Sequence, residues 1–279
     1  MNKKDKYIED VNKRFTGKAK EIILNQIELF FKKTKNINKE KYKINDDVIL
    51  EEGTFIHGIP GDIDNFDFVI ENGFISVDFT ESPKENKINN SVGFWKIKEK
   101  CSLKEYINLY SGNTITYNIG RGPTATKKYL LAPYHKFDEI TETLNNDKEV
   151  WSYTAEQTKE VRFIPSLVSD KVQIAFILNM TSKYAKELQE ADVWNINLDN
   201  ETLKPFLDYR YYEKFLEERL NRNETTTDRE SAIMFGIPNT LVEGVLIGRK
   251  IEKDQDKIKY IKQKLPNCYI CNLEGKVIY

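Results

Sequence analysis

Residues Thr54 to Phe74, TFIHGIPGDIDNFDFVIENGF, decide how the rest of the chain is read. A short apolar run ends in His-Gly, a polar loop with Pro60 and Gly61 interrupts it, and an amphipathic turn of helix follows that Asn72-Gly73 closes. His57, one of only two histidines in the chain, is thereby expected at the end of a strand, facing a loop. Sites form at such places because a loop residue carried on a rigid element meets a ligand without being enclosed by its own core.

Moving outward toward the C-terminus, FISVDF is a short strand-like run that leads into a Pro-, Lys- and Asn-rich loop. Ser91–Ile97, SVGFWKI, is a compact aromatic strand, and in CSLKEYINLY Ser102 stands where it caps a helix with Glu105 at the third helical position. Gly112 ends that helix. Residues 113–165 contain GRGPTATKKY, which has the glycines and basic residues of a phosphate loop but lacks the Gly-Lys-Ser/Thr ending. It reads as a surface loop, with an anion or substrate contact through Arg121, Lys127 or Lys128 as the other reading. His135 reads as a packing or surface residue.

Toward the N-terminus, Ile8, Val11, Phe15, Ile22, Ile23, Ile27, Leu29 and Phe30 recur at mostly three- and four-residue spacing, the mark of one or two amphipathic helices with Gly17 as a break. Up to Lys43 there are 13 Lys/Arg against 6 Asp/Glu, a surplus of seven in a chain whose net charge is −1. This lysine-rich face is either a solvated face of helices packed on the body of the protein or a surface for an acidic partner or anionic membrane. Residues 36–47 turn polar and read as a linker. Residues 1–48 are accordingly taken as a basic helical extension, with a main domain over 49–279 that carries an insertion near 113–165. Deleting residues 1–45 is then expected to spare chemistry in the main domain but to weaken docking to, or modification of, a partner.

In the C-terminal half, Val172–Asn179, VQIAFILN, is a nearly continuous apolar run and predicts a strand buried on both faces. Helices are predicted over Lys183–Asp192, Leu203–Leu220 and Lys253–Leu265. Strands are predicted over Ser231–Phe235 and Val242–Ile247, with a turn at Gly236–Asn239, and a last strand pair over Asn267–Val277. Strands interleaved with helices without a regular βαβ beat make the fold α+β.

Composition bounds the rest. With 279 residues, 39% apolar and 31% charged, the chain buries a core and reads as an ordinary soluble protein. No window approaches the run of about 18 apolar residues that a membrane helix requires. Near-neutral charge does not suggest nucleic acid. Three cysteines make no disulfide framework, and Cys268-x-x-Cys271 lacks an obvious second ligand pair for a metal, so the two thiols are read as lying on opposite faces of a C-terminal strand.

Glu230 closes a polar, threonine-rich loop and opens an apolar strand, so its carboxylate is held on a rigid element. In order, the chain presents His57-Gly58, the VIENGF turn, Gly93-Phe94-Trp95, Ser102 and Tyr106, the buried VQIAFILN, and Glu230 before AIMFGIP. Over roughly residues 50–279 this order resembles the ADP-ribosyltransferase superfamily, in its diphtheria-toxin and poly(ADP-ribose)-polymerase-like branch built on a His, aromatic, Glu triad.

The resemblance implies a split mixed or antiparallel sheet with flanking helices, and NAD as substrate. His57 would bind the adenosine ribose and the Gly58 backbone the nicotinamide carboxamide, a donor and an acceptor in one plane. Trp95 stands where the family usually has tyrosine, and it or Phe94 would stack on the nicotinamide. Ser102 would contact the carboxamide and Tyr106 would stack from the other side. Glu230 would hold the 2′-hydroxyl of the nicotinamide ribose and stabilise charge that grows as the glycosidic bond breaks. Asp228 is the position that selects the acceptor side chain in a related branch.

The activity implied by the resemblance is that of a mono-ADP-ribosyltransferase with a macromolecular acceptor, protein rather than nucleic acid. By analogy from the AT-rich codon bias that Lys, Asn and Ile suggest, it is a bacterial or phage effector or toxin, cytoplasmic or delivered into a target cell. An NAD glycohydrolase and a catalytically inactive binding module on the same scaffold are the competing readings.

Overall fold

The computed structural model describes residues 2–32, 41–59, 63–76, 79, 91–111, 115–116, 131–132, 174–193, 195–203, 206 and 229–279. The N-terminal periodicity becomes two helices, α1 (Lys3–Arg14) and α2 (Gly17–Phe30). Asn2 caps the first by accepting from the Asp5 amide at 2.9 Å, and the break falls at Phe15–Thr16, just before Gly17. Their apolar stripes bury Tyr7 and Val11 with Ala19, Ile23, Ile27 and Phe30. Four of the outward basic residues meet acids: Lys13 with Glu9, Arg14 with Asp10, Lys18 with Glu21, and Lys4 across to Glu28. Such pairs offset part of the basic charge and add little stability individually.

The next elements are β1 (Ile49–Leu50), β2 (Phe55–Ile59), α3 (Ile63–Asn72), β3 (Phe74–Ile75), β4 (Ser91–Lys96), β5 (Cys101–Ser102) and α4 (Leu103–Ser111). Gly73, at φ +75°, closes α3 as its position predicts. Then come β6 (Ile115–Thr116), β7 (Leu131–Ala132), β8 (Ile174–Leu178), α5 (Lys183–Gln189) and α6 (Asn200–Leu203). The C-terminal part is β9 (Arg229–Met234), β10 (Gly236–Ile237), a 3₁₀ turn, β11 (Val242–Ile247), α7 (Arg249–Glu252), α8 (Gln255–Lys264) and β12 (Tyr269–Cys271).

Six strands form one continuous sheet in the order β12-β11-β8-β2-β4-β9, antiparallel except for the β11–β12 pair. β1–β5, β3–β10 and β6–β7 are separate two-stranded ladders. Every residue of β8 is buried, as its unbroken apolar run requires of a central strand. One sheet face carries Phe55, Phe94, Phe176, Ile233 and Val245 against apolar residues of α1, α2, α3, α5 and α8. The opposite face carries Ile56, Ala175, Ile177 and Leu246 against Leu103, Tyr106 and Ile107 of α4. The architecture is α+β, with α1 and α2 sharing the core of the sheet.

Several boundaries differ from the sequence reading, and four of them bear on how the sheet is built. β2 continues to Ile59, which pairs with Ile174, so His57 is the middle residue of a strand instead of its end. The expected turn at Gly236–Asn239 begins as a strand, with Gly236 opposite Ile75. Gly236 sits at φ +151°, and a Cβ there would lie 1.9 Å from the Phe74 carbonyl oxygen, so no other residue fits. The helix predicted over Lys253–Leu265 starts at Gln255, because Asp254 accepts from the Lys257 amide at 3.1 Å and caps it. Of the last strand pair, β12 is a strand, and its return is a single bridge between Cys271 and Val277. Cys268 and Cys271 do lie on opposite sides, one in each apolar cluster.

Candidate functional site

Three neighbouring strands carry the residues singled out by the sequence. Ile56 of β2 is opposite Trp95 of β4, and Trp95 is opposite Glu230 of β9, so the three positions form one row across the sheet. Side chains alternate along a strand, which places Gly58, two residues beyond Ile56, on the same face as that row. That face is the one covered by α4, because Ile56 packs in the cluster with Tyr106.

His57 and Phe94 alternate to the other face. The His57 ring lies 5.1 Å from Phe94 and meets Phe74 edge-on at 5.4 Å, within the aromatic layer under the helices. The structure thus brings Gly58, Trp95 and Glu230 together by register and leaves His57 on the opposite side of the sheet. Phe94 is fully buried and stacks on Phe55 at 5.4 Å, so it has no face to offer a nicotinamide ring. Its assignment as a possible stacker is corrected to core.

The helix after β5 begins as expected. Ser102 Oγ accepts from the Glu105 amide at 3.1 Å, and both the Ser102 amide and hydroxyl donate to Glu105 Oε2 at 2.8 Å. This is a reciprocal capping box. The Ser102 amide first, and then its hydroxyl, hold the Glu105 carboxyl below the usual carboxylate range. Because the single hydroxyl proton is engaged, Ser102 has only an oxygen lone pair left, which suits the amide NH2 of a carboxamide and not its carbonyl. Tyr106 is 2% exposed and packed with Ile56 and Leu103 beneath the sheet, so its expected role as a second stacker is likewise corrected to core. Asp228, Arg121, Lys127, Lys128, His135, the predicted helix beyond Phe206 and most of residues 113–165 lie outside the described residues.

The structure adds three polar residues that sequence reading passed over. Gln26 interrupts the apolar stripe of α2 between Ile23 and Ile27 and is buried, which is the signal that could have marked it. Asp192 and Glu243 are buried at 3% and 6% exposure, and neither has a local sequence signature. No group of three His, Cys, Asp or Glu suited to a metal occurs among the described residues. Among the same residues, no helix is long and apolar enough to cross a membrane.

Comparisons with protein-family models, with curated proteins and with solved structures return no significant match for this chain.

Proposed function

We propose that the chain is a mono-ADP-ribosyltransferase that moves ADP-ribose from NAD to a macromolecular acceptor, a protein in preference to a nucleic acid. The observation that carries this reading is the direct opposition of Trp95 and Glu230 across β4 and β9, with Gly58 on the same face of the neighbouring strand. The donor set fits the dinucleotide: an aromatic side chain for a planar pyridinium, a carboxylate for a ribose hydroxyl, and a backbone without a side chain for close approach of an amide.

NAD supplies an anomeric carbon that becomes positively charged as nicotinamide departs. Glu230 accepts a hydrogen bond from the neighbouring 2′-hydroxyl, and its charge is worth more as the positive charge grows, which is the differential binding that raises turnover. Fixing it on a sheet strand removes reorganisation at the moment of reaction. Trp95 orients the ring, and Ser102 accepts from the carboxamide NH2. His57 lies away from the breaking bond, and its ring packing fixes β2 so that Gly58 is held in place. The ADP-ribosyltransferase arrangement of the sheet is part of the same proposal, as is a role as a bacterial effector or toxin.

Incubation with labelled NAD and a cell lysate tests the reading. Glu230→Gln is expected to lower NAD consumption about 100-fold while changing NAD affinity little. Label on a macromolecule supports transfer, whereas free ADP-ribose alone identifies a glycohydrolase. Wild type that consumes no NAD and is indistinguishable from Glu230→Gln overturns catalysis and leaves a binding module.

A further inference from the structure

β9 is held on its inner side by β4 over its whole length, from Arg229 opposite Lys96 to Met234 opposite Ser91. On its outer side the described partner is the short segment that leaves α5. The Met234 amide donates to the Ala191 carbonyl and the Val193 amide to the Ala232 carbonyl, each at 2.9 Å. Between these two bonds the Ala232 amide donates, at 3.1 Å, to Asp192 Oδ1 and not to a backbone carbonyl. A side-chain carboxylate thus takes the place of a ladder acceptor two residues from Glu230.

This carboxylate is 3% exposed. Its second oxygen accepts from Asn195 Nδ2 at 3.1 Å, and the Asp192 main-chain carbonyl accepts from the Asn195 and Ile196 amides, both at 3.0 Å. A buried carboxylate is a liability unless hydrogen bonds compensate it, and a neutral carbonyl would complete the ladder without that liability. A carboxyl oxygen in place of a ladder carbonyl grips the strand at that point. Gln26 reinforces the grip. It is 1% exposed, and its Nε2 donates both to the Leu188 carbonyl of α5 at 3.2 Å and to the Gly236 carbonyl at 3.1 Å, tying the exit of β9 to the helix that leads into Asp192. The corner between them contains Phe235 at φ +64°, a conformation that needs such support.

We propose that Asp192 is a positioning residue for Glu230: its carboxylate sets the height and twist of the first half of β9 through the Ala232 amide, with Gln26 locking the far end. The proposal rests on the reading of Glu230 as the catalytic carboxylate. Misplacing a reacting group by about 1 Å lowers a rate by as much as ~100-fold, so a strand that carries the key charge benefits from a grip on both sides.

Asp192→Ala and Asp192→Asn test this by amide hydrogen exchange and by NAD consumption measured below the unfolding transition of each variant. In Asp192→Ala, Ala232 is expected to exchange about 10-fold faster while α8 is unchanged, and kcat to fall about 10-fold with KM for NAD within about 3-fold. Asp192→Asn retains an acceptor oxygen and is expected to recover most of both. Unchanged exchange at Ala232 overturns the proposal. So does a loss of protection spread evenly over the molecule, or a kcat equal to that of wild type. Wild type that consumes no NAD fails on the Glu230 reading instead, and is recognised because Ala232 protection still depends on Asp192.

Discussion

At the scale of single residues, Glu243 shows what burial does to charge. It occupies the register shift of β11 between Val242 and Gly244, with Asn179 donating to Oε2 at 3.1 Å and Lys41 at 3.8 Å. Burial pushes its carboxyl above the usual range, and Lys41 and Asn179 oppose that shift. Because the folded-state value is raised, the stability linked to this group is complete below the unfolded carboxylate range and is lost as pH climbs through the folded value. Glu243→Gln keeps an oxygen for Asn179, so its Tm is expected to match wild type in acid and to exceed it at higher pH. Thermal melts of the pair across pH check this, and a Tm difference that does not vary with pH counts against it.

At the scale of elements, β2 shows how alternation assigns roles. His57 and Gly58 are neighbours in sequence, yet one side chain position falls under the helices and the other on the face with Trp95 and Glu230. His57→Phe keeps a ring against Phe74 and Phe94 and is expected to hold both Tm and NAD consumption close to wild type. His57→Ala loses two aromatic contacts, on the order of 1 kcal/mol each, and is expected to lower Tm. A large fall in NAD affinity in His57→Phe, with Tm intact, would restore the imidazole to a direct ligand role. The strand run and the helix turn of this region are legible in the sequence. The extension of β2 to Ile59 is not, because Ile59 is drawn into the sheet by Ile174, more than a hundred positions away.

At the scale of the whole molecule, the N-terminal helices matter most. Tyr7, Val11, Ile23, Ile27 and Phe30 lie in the same apolar cluster as Phe55, Phe176 and Ile233 of the sheet, and Tyr7 and Phe30 each meet Phe235 edge-on at 5.2 Å. The expectation that residues 1–45 can be removed without affecting the chemistry is therefore replaced. Deleting residues 1–32 exposes that side of the core, each large apolar group forfeiting about 1.5–3 kcal/mol of burial, and is expected to abolish a cooperative thermal transition. A truncated chain that melts sharply near the wild-type Tm would show that the helices are dispensable. In the sequence the lysine-rich face reads either as the solvated face of packed helices or as a docking surface. In the structure Lys4, Lys13 and Arg14 pair with acids one helical turn away or on the facing helix, and the apolar faces of both helices are buried on the sheet.

By itself the sequence determined the identity of most described elements: α1, α2, β8, β11 and the capped start of α4 follow from local period, apolar runs and the Ser102–Glu105 spacing. Those signals act over a few residues and survive without the rest of the chain. Only the tertiary structure decided the strand order, the opposition of Trp95 to Glu230, the face on which His57 lies, and the meeting of Asp192 and Gln26 around β9. Register is set by which distant apolar row wins the buried side, and a slip of one residue would exchange every face.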